Sequence, residues 1–337
     1  MTAVYTRKAF TAPTSTGTQD LTFADIGFTP ENGNLALFVS GACAGTDVIA
    51  DHAIHCRGVA NGTAQAFHAF SASDSEAFTS GTICKHRGHT DRCLVVLDEN
   101  GDIDGEAEFS AWISGGVRVN WTNAPSAETR FVVTIWAGDE VGSSIQARVH
   151  DTAQDGDEVF DTSLAQISGG FLIGSKGALD GTKHSDLVQA FGVFDADLGQ
   201  SASARIVRDN QGSSNGAGWT DDDRYALVVL QDYSATPPAA EVTSISGGEV
   251  TLTKRLAATN FSVIVVALDV PTAVWADTFT RHSTSDRQPT THSEPGFTAG
   301  LTLLELTNIP VNFTRSIQHI AKKRKKELCS MGLSGGH

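Results

Sequence analysis

A short acidic stretch is the first place where this sequence could bind a ligand. It reads Asp98-Glu-Asn-Gly-Asp-Ile-Asp-Gly-Glu106, and from Asn100 onward it offers Asn, Asp, Asp and Gly at positions one, three, five and six of a calcium-binding loop. The glutamate expected at position twelve is missing, because Ala111 stands there. A polar hairpin turn between two strands accounts for the same residues, so both interpretations remain open.

A second candidate site is the segment Cys84-Lys-His86-Arg-Gly-His89-Thr-Asp-Arg-Cys93, which holds two cysteines and two histidines. Zinc takes such ligands, but usually from two short pairs that flank a longer loop. Cys93 begins an apolar run, so we expect its side chain to point into a core. The five cysteines are an odd number and form no dense framework, which favours reduced, incidental thiols. We predict no metal and no cofactor.

Residues that could support an enzyme are present, but no catalytic motif assembles them. The chain has no phosphate-binding loop and no dinucleotide fingerprint. Pairs of Asp and Glu serve as acid and base in sandwich-fold glycosidases, so a carbohydrate-active enzyme stays as an alternative. Trp219, in a glycine-rich stretch, could stack on a sugar or cover one end of a β-sandwich, whereas we expect Trp136 in a core. We predict no catalytic residue.

Composition and charge restrict the class of protein. The chain has 337 residues, 33 of them glycine and only two methionine, which favours short strands and tight turns. The net charge is −15, but residues 313–337 hold six basic residues and one acid, so the rest of the chain carries −20. An acidic body repels nucleic acid, so we predict no nucleic-acid partner. No apolar run reaches the ~18 residues of a membrane span, so we predict no membrane insertion.

Internal repeats are the strongest signal in the sequence. The first block contains Cys93-Leu-Val-Val-Leu97, Ile113-Ser-Gly-Gly116 and Phe131-Val-Val-Thr-Ile-Trp-Ala137. About 130 residues later, the chain repeats this order with Ala226-Leu-Val-Val-Leu230, Ile245-Ser-Gly-Gly248 and Phe261-Ser-Val-Ile-Val-Val-Ala267. The unit is as long as a domain, so we interpret it as a tandem duplication rather than a solenoid.

The periodicity within each unit is that of β-strands. Val117, Val119 and Trp121 alternate with polar residues, and continuous apolar runs such as Val263–Leu268 are typical of central strands. We therefore predict an all-β fold of two tandem antiparallel β-sandwiches of jelly-roll type, followed by a short C-terminal amphipathic helix. The predicted domains are 1–138, 139–270 (the second unit), 271–310 (a partial third repeat or edge strand) and 311–337 (the basic helix and tail).

The C-terminal segment carries the predicted partner-binding residues. Its apolar residues Phe313, Ile317 and Ile320 recur at helical spacing, and a basic run follows them. An acidic surface, such as that of a neighbouring copy, is the expected partner of this run. The predicted contact residues are Phe313, Ile317, Ile320, Lys322, Lys323, Arg324, Lys325 and Lys326.

Three motifs carry a resemblance to a known family. They are Gly27-Phe-Thr-Pro30 before an apolar strand, Asp91-Arg92 before another, and Gly116-Val-Arg-Val-Asn-Trp-Thr122. They resemble the "G-F-x-P-K-A" and "G-F-x-x-N-W-T" strands of a family of uncharacterised structural proteins of tailed bacteriophages. Glu31-Asn32 stands where that family has Lys-Ala, and the second unit keeps only the outline. The resemblance implies a fold and a place in a virion, and it supplies no catalytic residues.

The leading hypothesis from the sequence is therefore a bacteriophage virion protein, made in the bacterial cytoplasm and assembled into the particle. A tail-tip or fibre-type component would present its β-sandwiches for assembly and for contact with the host surface. Its expected partners are other copies of itself, other virion proteins and a host-surface glycan. The alternatives are a capsid decoration or head-fibre protein and, in another class, a tail-associated carbohydrate-active enzyme.

Overall fold

The computed structural model describes residues 3–41, 52–73, 83–150, 156–207, 216–221, 224–230, 239–255, 261–270, 273–280, 291–294, 297–308, 313–323 and 329–332. From residue 271 onward it describes the backbone only. Within these ranges every regular element is a β-strand, and the strand ladders are antiparallel. The predicted all-β class is confirmed.

Ten strands form the first sandwich. They are β1 (Val4–Thr11), β2 (Gly17–Thr22), β3 (Leu35–Gly41), β4 (His52–Ala60), β5 (Gln65–Ser73), β6 (Ile83–His89), β7 (Leu94–Leu97), β8 (Ile103–Ile113), β9 (Gly116–Asn123) and β10 (Arg130–Ala137). Inner sheet 1 has the order β1-β10-β3-β4-β5-β6, and outer sheet 1 has the order β2-β9-β8-β7.

The second sandwich repeats this topology strand for strand. Its strands are β11 (Gly142–His150), β12 (Gly156–Asp161), β13 (Gly169–Lys176), β15 (Leu187–Asp195), β16 (Gln200–Val207), β17 (Gly216–Asp221), β18 (Leu227–Val228), β19 (Ala239–Ser246), β20 (Glu249–Arg255) and β21 (Phe261–Asp269). Inner sheet 2 has the order β11-β21-β13-β15-β16-β17, and outer sheet 2 has the order β12-β20-β19-β18. One additional strand, β14 (His184–Ser185), pairs with β6 at the edge of inner sheet 1.

The two Ile-Ser-Gly-Gly blocks lie in the equivalent hairpins, β8–β9 and β19–β20, but their turns differ by one residue. In the first hairpin Ile113 faces Gly116, so Ser114 and Gly115 form the turn. In the second, Ser246 faces Glu249, and Gly247 and Gly248 form it with φ of 61° and 82°. Two consecutive positive φ angles are those of a type I′ turn, which glycine adopts without strain.

The sandwiches pack against each other through their inner sheets, so the described residues up to 270 form a stack of four sheets. Each of the three gaps between neighbouring sheets is filled by an apolar core. In the middle gap, Leu35 and Trp136 of inner sheet 1 meet Phe171, Ile264 and other apolar residues of inner sheet 2. Both inner sheets are therefore covered on both faces, which requires strands with continuous apolar sequence.

A buried asparagine holds the link between the sandwiches. Asn34 is 1% exposed, and its Nδ2 donates to the carbonyl oxygens of Gly138 (3.2 Å) and Val141 (3.1 Å). The backbone N–H of Gly138 donates back to Oδ1 of Asn34 at 3.1 Å. Residues 138–141 connect β10 to β11, so one side chain fixes the path of the chain from the first sandwich to the second.

Replacing Asn34 with alanine is expected to lower the free energy of unfolding by about 2–3 kcal/mol, because buried backbone groups of the link lose their partners. Urea unfolding of the purified chain measures this change. Asn123→Ala is the matched control, since the Asn123 side chain is exposed and donates one bond to the Asp104 carbonyl. Equal effects of the two substitutions would contradict the assigned role of Asn34.

The predicted C-terminal helix is wrong for the residues that are described. Phe313–Lys323 form a strand, β25, between β22 (Ala273–Thr280) and β24 (Phe297–Asn308). A second pair joins β23 (Thr291–Glu294) to β26 (Cys329–Gly332). Ladder pairing on both sides of β25 stabilises the strand, whereas a helix here would place like charges next to one another.

This correction changes the predicted partner-binding face. Phe313, Ile317, Ile320, Lys322 and Lys323 lie on β25. Ile317 and Ile320 are one helical turn apart, and the strand removes the helical face on which the prediction rested. Residues 324–326, the remaining basic residues of the prediction, lie outside the described part of the chain.

Candidate functional site

The acidic stretch considered for calcium forms the turn between β7 and β8. Asp98 Oδ1 accepts the backbone N–H groups of Asn100 and Asp102, both at 2.8 Å. Asp102 Oδ1 accepts from Arg87 at 2.9 Å and from Lys183 of the second sandwich at 2.8 Å. The Asp98 carboxylate thus stabilises the turn, and the Asp102 carboxylate forms ion pairs. Among the described residues, no three His, Cys, Asp or Glu side chains form a group that could hold a metal ion.

The four residues considered for zinc point to different places. Cys93 is buried in the first sandwich core, and Cys84 lies in a separate small cluster with Phe70. His89 pairs with Asp91, and His86 faces the second sandwich. Burial raises the pKa of the Cys93 thiol well above its ordinary value, which keeps it protonated and poorly suited to bind metal.

The tryptophans whose side chains are described, which exclude Trp275, divide between core and partly buried positions. Trp136 is fully buried in the middle gap, as predicted. Trp121 is 1% exposed, and its indole N–H donates to Gln19 at 2.9 Å. Trp219, on β17, is half-buried and packs against the core of the second sandwich. This contact favours its interpretation as a cover for that core over a sugar platform.

Polar and charged side chains concentrate in the middle gap, where β4 and β5 face β15, β16 and β21. The guanidinium of Arg57 lies over the Phe191 ring at 4.5 Å, and that of Arg205 lies over the Phe70 ring at 4.7 Å. Strand pairing makes Arg57 equivalent to Phe191 and Phe70 equivalent to Arg205. Each of these two contacts therefore joins equivalent positions of the two sandwiches. The first sandwich supplies the Arg in one contact and the aromatic ring in the other.

A small cavity of about 10 Å³ lies between these side chains and is large enough for one water molecule. Arg57 and His68 line it from inner sheet 1, and Gln189 lines it from inner sheet 2. His68 Nδ1 and Gln189 Oε1 have no hydrogen-bond partner among the described residues. His68 Nε2 lies 3.5 Å from Ser262 Oγ. The middle gap thus holds a polar centre within an otherwise apolar contact.

The histidines of this region are buried in their neutral form. Burial lowers the pKa of His68 to about 3 and that of His86 to about 4. Burial, together with the nearby Arg57 and Arg205, also holds the pKa of His55 well below its ordinary value. Burial removes the water that would solvate a charged imidazolium. The neutral form is therefore favoured, and the pKa of all three histidines is lowered.

A ten-residue arm of the second sandwich extends over the first. The arm, residues 177–186, leaves the end of β13 and returns to β15, and its β14 pairs with β6. Gly181 N–H donates to the Gly88 carbonyl at 2.9 Å, and Arg87 donates to the Gly181 carbonyl at 2.8 Å. Lys183 completes the contact through its ion pair with Asp102.

His86 lies at the base of the arm and contacts both of its ends. Its Nδ1 is 2.6 Å from the Asp186 carbonyl oxygen, and its Nε2 contacts the Lys176 carbonyl oxygen. The ring of His184, within the arm, stacks on the ring of His86 with a centroid separation of 5.2 Å. A neutral imidazole has one N–H, so it donates to one of the two carbonyls at a time.

Comparison with known proteins found no matching family model, no matching curated protein and no matching solved structure. The arrangement of the site is therefore interpreted from its own geometry. Among the described residues, no helix is long and apolar enough to span a bilayer.

In the sequence analysis, His86 was considered only as an alternative zinc ligand, and Arg57, Gln189 and His184 were not considered. Strand pairing places Ser203 and Gly218 of the second unit at the positions of His68 and His86. Polar residues that occur in only one of two equivalent units are the signal that could have revealed the contact. That signal requires a strand-by-strand alignment, which the matched sequence blocks alone did not provide.

Proposed function

We propose that this chain is a structural subunit of a bacteriophage virion, most consistent with a tail-tip or fibre-type component that presents β-sandwiches for assembly and host-surface contact. The strand-entry motifs that resemble phage structural proteins support this assignment. The observation that carries it is the four-sheet stack, in which two equivalent sandwiches are joined through one buried, partly polar contact. Such a unit is suited to a role that requires rigidity.

The outer sheets supply the surfaces for contact with other proteins. On outer sheet 1, Arg118 forms a two-point ion pair with Asp20, and Asn120 donates to Glu108 at 3.0 Å. On outer sheet 2, the Thr253 hydroxyl contacts both Asp157 and Thr243. These ladders of polar pairs keep the outer faces soluble in the free chain and leave them open to polar contacts with neighbouring copies, other virion proteins or a glycan.

The contacts of the acidic side chains favour a structural role over a glycosidase. Asp104 accepts the backbone N–H of Ser126, and Asp195 accepts those of Asp197 and Gly199. Asp20 and Asp102 are ion-paired on the surface. A glycosidase instead needs two carboxylates that face each other across a sugar-sized cleft, one of them with a raised pKa. The described carboxylates with a shifted pKa have it lowered.

Immuno-electron microscopy tests the assignment to the tail. Antibodies raised against the two sandwiches, applied to particles of the phage that carries this gene, are expected to label the tail tip or fibres. Label on the capsid would overturn this part of the proposal and favour the alternative of a decoration or head-fibre protein. Particles prepared with the gene deleted serve as the control for the antibody.

A shortened chain that ends at residue 270 is expected to keep both sandwiches folded. The strands described beyond that residue form hydrogen-bonded ladders with one another and not with the sandwich strands, although β22 and β24 lie close to β15 and β16. We expect cooperative urea unfolding and the circular-dichroism spectrum of a β protein to persist, with reduced incorporation into particles. Loss of cooperative unfolding would show that the C-terminal strands are part of the sandwich fold, and normal incorporation would show that they play no part in assembly.

A further inference from the structure

The two sandwiches are related by an approximate half-turn about an axis that lies in the middle gap. Equivalent sheets that meet through the same face are related in this way, and residues near such an axis contact their own equivalents. Both Arg–ring contacts have this property, because Arg57 is equivalent to Phe191 and Phe70 is equivalent to Arg205. We call these two contacts the axial contacts.

We propose that the axial contacts make each sandwich select the unlike sandwich and reject the like sandwich of another copy of this chain. In the unlike pairing, each axial contact places one guanidinium over one ring. If the first sandwiches of two copies paired, the same half-turn would bring Arg57 onto a second Arg57 and Phe70 onto a second Phe70. Pairing of two second sandwiches would likewise bring Arg205 onto a second Arg205.

Burial makes a mismatch at these positions costly. Arg57, Phe70 and Phe191 are buried, and Arg205 is half-buried. The guanidinium groups therefore lie between the sheets rather than on a solvated rim. Like charges brought together in such a contact lose water without gaining an attraction, so they suppress the wrong partner. Both charges act across the gap, since Arg57 and Arg205 contribute to the lowered pKa of His55.

The apolar part of the middle gap supplies affinity but does not distinguish the two sandwiches by chemical character. Apolar residues of inner sheet 1 are matched by apolar residues at the equivalent positions of inner sheet 2. The matched residues are Leu37 and Phe171, Val39 and Ile173, and Val59 and Val193. An apolar side chain thus meets apolar side chains in either pairing, and the axial contacts supply the charge that tells the pairings apart.

Urea unfolding of full-chain variants tests the axial contact of Arg57. Phe191→Arg places two guanidinium groups there, as pairing of two first sandwiches would, and its urea midpoint is expected to fall below that of the native chain. The exchange variant, Arg57→Phe with Phe191→Arg, keeps the native composition and restores one guanidinium over one ring near the axis. It should recover most of the lost midpoint. An exchange variant no more stable than Phe191→Arg, or a native midpoint in Phe191→Arg, would overturn the proposal.

Refolding from urea tests the selection between copies. Light scattering measures the mass of chains refolded at about 1 μM and about 100 μM, with native chain that was never unfolded as the reference for assembly through other surfaces. The all-ring variant, Arg57→Phe with Arg205→Phe, has rings at all four axial positions, so like and unlike pairing no longer differ there. It is expected to form additional species of higher mass at the higher concentration.

The native chain and the exchange variant should refold without these species, because pairing of like sandwiches between two copies makes two Arg–Arg contacts in either chain. If the all-ring variant refolds only to the reference mass, or the native chain forms the same additional species, the axial contacts do not select the partner. If the all-ring variant does not fold, the urea midpoints of Phe191→Arg and the exchange variant decide.

Discussion

Replacing Gly192 with alanine is expected to lower the free energy of unfolding by about 3 kcal/mol or more, and Gly58→Ala should have a similar effect. A Cβ atom at Gly192 would overlap the backbone carbonyl of Ala226, and one at Gly58 would overlap that of Cys93. The two glycines are equivalent, and each lies on the inner sheet against the residue that directly precedes β7 or β18 of the outer sheet. Backbone atoms cannot move aside as a flexible side chain can, so the clash distorts the sandwich itself.

Urea unfolding of the single variants measures this effect, with Gly27→Ala as the matched control. A Cβ atom at Gly27 would meet no atom within 4 Å, so its substitution should change the free energy of unfolding by no more than about 0.5 kcal/mol. If Gly58→Ala and Gly192→Ala were as mild as Gly27→Ala, the close approach of the two sheets in each sandwich would be contradicted.

Acidification from pH 7 to pH 5 is expected to cost about 2 kcal/mol of stability for each of His68 and His86. In the native chain their pKa values are about 3 and about 4, so both rings stay neutral at pH 5. In the unfolded chain they titrate near pKa 6.5. The unfolded state therefore binds more protons below that value, and stability falls as pH falls through this window.

Urea unfolding at several pH values between 7 and 5 measures the slope, and His68→Gln should reduce its average over this window by about 1 kcal/mol per pH unit. Asp20, Asp102 and Asp180 have a pKa lowered from 3.8, so in the folded chain these three carboxylates titrate below this window. An unchanged slope in His68→Gln would show that this ring is already solvated or charged in the folded protein.

The sequence pattern predicted much of the fold, because strand periodicity and the order of repeated blocks both survive in the chain. Alternation at Val117, Val119 and Trp121 correctly placed their side chains on the buried face of β9. The paired glycines of the Ile-Ser-Gly-Gly blocks correctly indicated hairpins, although the turn position differs by one residue. These features depend on neighbours that are close along the chain, which is why they can be read from sequence.

The contact between the sandwiches could not be predicted in the same way. The apolar run Val263–Leu268 indicates a strand buried on both faces, but it does not identify what covers the second face. His68, His86 and Gln189 likewise look like ordinary polar strand residues until the second sandwich is placed against the first. At β25 the spacing of Phe313, Ile317 and Ile320 predicted a helix, and pairing with β22 and β24 produced a strand instead.

Quantitative mass spectrometry of purified particles is the most direct test of the proposed virion role. The proposal implies a phage as the source of this gene, and particles of that phage would be purified on a density gradient, with the host lysate as the reference. We predict peptides from both sandwiches in the particle band, in fixed ratio to the known structural proteins and in several copies per particle. Recovery of the chain only from the soluble fraction, with none in the particle band, would contradict the proposal.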